Sequence, residues 1–107
     1  MTDRESLQKF IAALKSKIGQ QFGGTMSGVQ ISPMHQKAAV VTVTRTYVNK
    51  GIAFRNVVTI KAMTPIKDSV AFWAERKSPL RLDGRKAKVM STQVDWVIGE
   101  VIKWLRV

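Results

Sequence analysis

The sequence predicts an α+β fold: an antiparallel β-sheet of three to four strands flanked by an N-terminal and a C-terminal helix. Three observations carry this. Apolar residues recur at helical spacing near both ends of the chain. The middle is dense in Val, Ile and Thr with period-two alternation. Gly, Pro and Asn punctuate the runs between. The length of 107 residues suits a single domain over 1–107.

The first helix is expected over 3–20. Leu7, Phe10, Ile11, Leu14 and Ile18 form one apolar stripe, and Lys9, Lys15 and Lys17 fall away from it. Thr2 and Glu5 have capping-box spacing, and Asp3 and Glu5 suit the positive end of the helix dipole. Gly19 and the pair Gly23-Gly24 mark its end. A weak strand over 28–32 stops at Pro33. The strongest strand, 38–48, is rich in Val and Thr. Asn49-Lys50-Gly51 is a turn signal leading to a return strand over 52–62. On that strand Ile52, Phe54, Val58, Ile60 and Ala62 share one face, interrupted by Asn56, while Ala53, Arg55, Val57, Thr59 and Lys61 share the other. Thr64-Pro65 breaks the chain. A further strand over 70–76 sets Val70, Phe72 and Ala74 against Ala71, Trp73 and Glu75. Residues 77–90 are expected to be a basic loop. The last helix spans 92–106, capped by Ser91 or Thr92, with Val94, Val97, Ile98, Val101 and Leu105 as its stripe and Trp104 at the margin. Met26, Met34, Met63 and Met90 are expected to fill gaps in the core.

Charge is the strongest functional signal. The chain has 18 Lys and Arg against 7 Asp and Glu, a net charge of +11. The resulting pI near 10.6 is the electrostatic footprint of a polyanion binder. No acidic residue stands between Ser6 and Lys67, whereas a surface charged only for solubility intersperses both signs. With no cysteine there are no disulfides, thiolate metal ligands or cysteine nucleophiles. The mixed-charge start is unlike a secretory signal, and no apolar run is long enough to span a bilayer. A cytoplasmic location, no membrane and no cofactor or metal are therefore expected. His35 is the single histidine, and a His-based triad has no visible partners.

The expected activity is non-enzymatic binding of single-stranded DNA or RNA with low sequence specificity. The expected contacts on the sheet and its turn are Arg45, Tyr47, Lys50, Arg55, Lys61 and Trp73. The basic run adds Arg76, Lys77, Arg81, Arg85, Lys86 and Lys88. Cations neutralise phosphates and flat rings stack on unpaired bases. Neither helix reads as a major-groove recognition helix. Trp96 lies opposite the apolar stripe of the last helix, and with Gly99 it points to a homodimer interface. One alternative is a structural or interaction module that meets an acidic partner or a packaged genome. The other is a nuclease. Asp68 followed by Glu75-Arg76-Lys77 at the end of an apolar strand resembles the PD-(D/E)xK nucleases. That resemblance covers residues 68–77, with Ile66-Lys67 where a proline would stand. It implies Asp68 and Glu75 as ligands of a divalent metal, Lys77 as the assisting lysine and Gln93 as an extension of the site.

Overall fold

The structure is a computed structural model that describes residues 2–21, 28–66, 69–77 and 88–105. The elements run in the order α1 (Asp3–Gln21), β1 (Val29–Ile31), β2 (Val40–Asn49), β3 (Ile52–Ile66), β4 (Ser69–Lys77), β5 (Lys88–Ser91) and α2 (Val94–Leu105). The strands form one antiparallel sheet in chain order, β1-β2-β3-β4-β5. The α+β arrangement is as the sequence predicts, with one strand more than expected.

Alternation decides which side of each strand enters the core. Val41 and Val43 of β2 pair with Ile60 and Val58 of β3, and Ile60 and Ala62 pair with Ala74 and Phe72 of β4. These residues form one buried cluster with Leu7, Phe10, Leu14 and Ile18 of α1 and Val97, Ile98, Val101 and Leu105 of α2. Both helices therefore cover the same face of the sheet. Phe10 of α1 stacks on Phe72 with ring centroids 4.6 Å apart. Burial of the Val, Leu, Ile and Phe side chains among them contributes roughly 1.5–3 kcal/mol each relative to exposure.

The N-terminus of α1 is capped as its sequence implies. The Glu5 backbone N–H donates to Thr2 Oγ1 at 3.2 Å, and Thr2 Oγ1 donates to the Glu5 carboxylate at 3.1 Å. Arg4 reaches across to the carbonyl oxygens of His35 and Gln36, at 2.5 and 3.3 Å. The His35 ring is also engaged, because Nδ1 accepts the Lys37 N–H at 3.2 Å. Gly19 lies inside α1 rather than at its end. Its side-chain position faces open space, so the helix loses only propensity there.

Four further expectations are corrected. Thr64-Pro65 does not end the return strand. β3 continues to Ile66 through an irregularity between Met63 and Ile66, which is where a residue without an N–H is tolerated. The basic segment 77–90 is not wholly a loop. Lys88–Ser91 forms β5, pairing Val89 with Ala74 and Met90 with Trp73. Met90 is consequently no core residue. Its partner Trp73 faces away from the helices, and Met90 is 59% exposed. Trp104, expected at the margin of α2, is buried.

Candidate nucleic-acid interface

The same alternation that fills the core defines the opposite, uncovered face of the sheet. Adjacent rows across it follow from the pairing register. One row holds Thr46 and Arg55. The next holds Gln30, Thr44 and Val57. Then come Thr42, Thr59, Glu75 and Lys88, followed by Val40, Lys61, Trp73 and Met90. The surface is threonine-rich, carries several cations and has one aromatic ring. Neither helix packs on it, and only at the Met63–Ala71 end is it closed, where Ala71 is buried.

Trp73 is half-buried, with Lys61 Nζ 4.8 Å from its ring centroid. A cation over an indole face is worth about 0.5–1 kcal/mol at an exposed site. Lys61 thus lies against the ring, and a mobile cation and a flat aromatic surface stand together at this point of the face. Exposed Met90 extends the apolar patch on the neighbouring strand. At the other end of β3, exposed Arg55 borders a shallow depression shared with Gln30, Ser32, Thr42 and Thr44. Hydroxyl and amide groups around a guanidinium are a chemically suitable seat for a phosphate. Part of this rim is fixed, because Ser32 Oγ accepts the Thr42 N–H at 2.9 Å. Six residues of strand separate Arg55 from Lys61, roughly 20 Å.

The predicted contact residues divide between the two faces. Arg55, Lys61 and Trp73 are on the uncovered face, and Lys88 is exposed at its edge. Lys50 is exposed in the β2–β3 turn with φ of 52°. Arg45 and Tyr47 have the parity of Val41 and Val43 and therefore lie on the helix-covered face. Arg45 Nη1 donates to the Leu105 carbonyl at 2.6 Å, and its guanidinium sits 4.9 Å from the Tyr47 ring centroid. Arg45 thus satisfies a terminal carbonyl of α2 and complements the negative end of the helix dipole. Arg76 has the parity of Phe72 and Ala74. It is 6% exposed, and its Nη2 donates to Asn56 Oδ1 at 3.4 Å. Neither arginine is presented to a ligand on the open face. Their role is to organise the polar end of the core. The side chain of Lys77, and all of Arg81, Arg85 and Lys86, lie outside the described residues.

This placement yields a stability prediction. Arg45→Met should destabilise the protein by roughly 1.5–3 kcal/mol, the range for a hydrogen bond to a charged group. Oligonucleotide affinity should fall by no more than loss of one long-range charge requires. Chemical denaturation paired with binding measurements checks both. Unchanged stability with a large loss of binding would show that Arg45 meets the ligand instead.

Of the nuclease constellation, Asp68 lies outside the described residues, and Glu75 stands opposite Lys88 and Thr59 on the uncovered face. Among the described residues, no three His, Asp or Glu side chains gather as metal ligands. Gln93 precedes α2, where its N–H donates to Ser91 Oγ at 3.0 Å. No described helix is long and apolar enough to cross a membrane. Comparison with known proteins gives no family model, curated protein or solved structure that matches this chain.

Proposed function

We propose that this protein binds single-stranded nucleic acid, with little sequence preference, across the uncovered face of its sheet. The observation that carries the reading is the Lys61–Trp73 pair on an open face that also presents Arg55 and Lys88. A base stacked on an aromatic ring gains roughly 1–3 kcal/mol, more than the ~0.5–1 kcal/mol of an exposed cation–π contact. An incoming base can therefore displace the Lys61 ammonium from the ring, and the ammonium can move to a phosphate. Hydroxyls of Thr42, Thr44 and Thr59 supply backbone hydrogen bonds without reading sequence. A duplex offers no free base face to Trp73, which is why the unpaired strand is favoured.

Binding of labelled oligonucleotides at two salt concentrations tests the proposal. Affinity should drop steeply as salt rises, because each neutralised phosphate releases counterions. No binding at low salt, or binding indifferent to salt, would refute it, and a strong preference for duplex would remove the single-strand part.

Glu75 supplies a second test. It is the acidic residue of the described open face, in register with Lys88. Under the binding proposal Glu75→Gln removes a charge that repels phosphates. Affinity should then rise about two- to fivefold, the equivalent of ~0.4–1 kcal/mol for an exposed charge. The nuclease alternative requires the opposite: cleavage with magnesium or manganese that Glu75→Gln abolishes. Weaker binding by the variant would count against the binding geometry.

A further inference from the structure

We infer that the outer face of α2 docks against the same face of a second copy of this chain, antiparallel and centred on Gly99. The inference stands apart from the nucleic-acid reading. α2 buries Val97, Ile98, Val101, Ile102, Trp104 and Leu105 against the sheet and α1. Its opposite side carries Asp95, Trp96, Gly99 and Lys103, all exposed. Trp96 is 48% exposed, and among the described residues no cation sits over its ring. The helix thus spends its core-facing apolar residues inward and still presents an indole outward.

Three features of this stripe are self-complementary. Asp95 and Lys103 stand four residues before and four after Gly99, so all three lie on one side of the helix. A two-fold axis at Gly99 places Asp95 and Trp96 of one copy beside Lys103 of the other, twice over, as an isologous contact requires. Trp96 then receives the lysine that its own helix does not supply. Gly99 has no side chain, and the space in front of it is open within 4 Å. A second backbone can approach there, as at close helix crossings generally. Antiparallel α2 helices also oppose their dipoles favourably. The partner is consequently a chain with the same charge pattern in reverse order, which a second copy provides. The uncovered sheet faces of the two copies would point outward, away from each other. The dimer would offer two separate strand-binding surfaces and not one continuous groove.

Sedimentation equilibrium at about 0.15 M salt, where the Debye length is about 8 Å and the net charge is largely screened, tests this. The wild-type chain should be a concentration-dependent dimer. Asp95→Lys and Lys103→Asp should each weaken dimerisation at least tenfold, although one raises and the other lowers the net charge. The double exchange, Asp95→Lys with Lys103→Asp, should restore it. Trp96→Ser should weaken it as well, with circular dichroism confirming that each variant is folded. A wild-type chain that remains monomeric overturns the inference. So do single exchanges that dimerise like wild type, or a double exchange that stays as weak as the singles. Oligonucleotide binding is read separately, so a monomer that binds single strands would defeat this inference and leave the proposed function standing.

Discussion

Trp73→Ala should weaken binding of a single-stranded oligonucleotide by roughly 5- to 150-fold, the equivalent of ~1–3 kcal/mol for one stacked base. The ring lies on the uncovered face between Lys61 and Met90. Its removal takes away the one aromatic platform of that face among the described residues. Lys103→Ala provides the control, because Lys103 is on the outer side of α2, behind the sheet. It removes the same long-range charge as any lysine substitution and no contact on the sheet face. Fluorescence anisotropy at fixed salt compares the two. If Lys103→Ala proves the more damaging, the sheet face is not the binding surface. Trp73→Phe should recover part of the loss, since a smaller ring still stacks. A merely structural need for bulk would instead show as equal loss of thermal stability and affinity.

The second large effect concerns folding. Gly28→Ala should destabilise the protein by roughly 2–4 kcal/mol, combining backbone strain with a weakened hydrogen bond. Gly28 has φ of +78°, and a Cβ built there would lie 2.5 Å from the Thr46 carbonyl oxygen. The clash is with backbone, so no side-chain rotation relieves it. The Gly28 carbonyl also accepts the Thr46 N–H at 2.7 Å. Moving the chains apart to admit a methyl group weakens that bond and loosens β1 from β2. Urea denaturation reads the effect directly, and a change below about 0.5 kcal/mol would show that the segment adjusts freely. Because β1 carries Gln30 on the rim of the Arg55 depression, the same variant should also soften that end of the open face.

Much of this architecture was legible in the sequence. The stripes Leu7-Phe10-Leu14-Ile18 and Val97-Ile98-Val101-Leu105 are buried as their spacing implies, and the outward position of Trp96 follows from the same arithmetic. The two faces of β3 and β4 also follow from alternation. The division of the predicted contacts between the two faces is legible as well. Arg45 and Tyr47 share parity with Val41 and Val43, and Arg76 shares it with Phe72 and Ala74. Counting in twos places all three on the covered side. Other features had no local signature. β5 is a four-residue strand whose only core contribution is Val89, so it carries no readable period. The bond from Arg45 to the Leu105 carbonyl joins residues sixty apart in the chain, and only tertiary packing creates it. The pairing of Met90 with Trp73 depends on β5 and has no local signature of its own.

The sheet order, β1-β2-β3-β4-β5, pairs every strand with its neighbour along the chain. No crossover must be threaded, so the ends of each pairing are already close before it forms. Loop-closure entropy rises only slowly with loop length and stays small for each such step. The tight turn between Asn49 and Ile52 makes the β2–β3 hairpin the cheapest nucleus, and the sheet can grow outward from it. The long-range ordering is left to α1 and α2, the two ends of the chain. They must meet on a sheet surface that already exists. Folding speed should therefore depend on the central hairpin, while the rate of unfolding depends on how tightly the terminal helices hold.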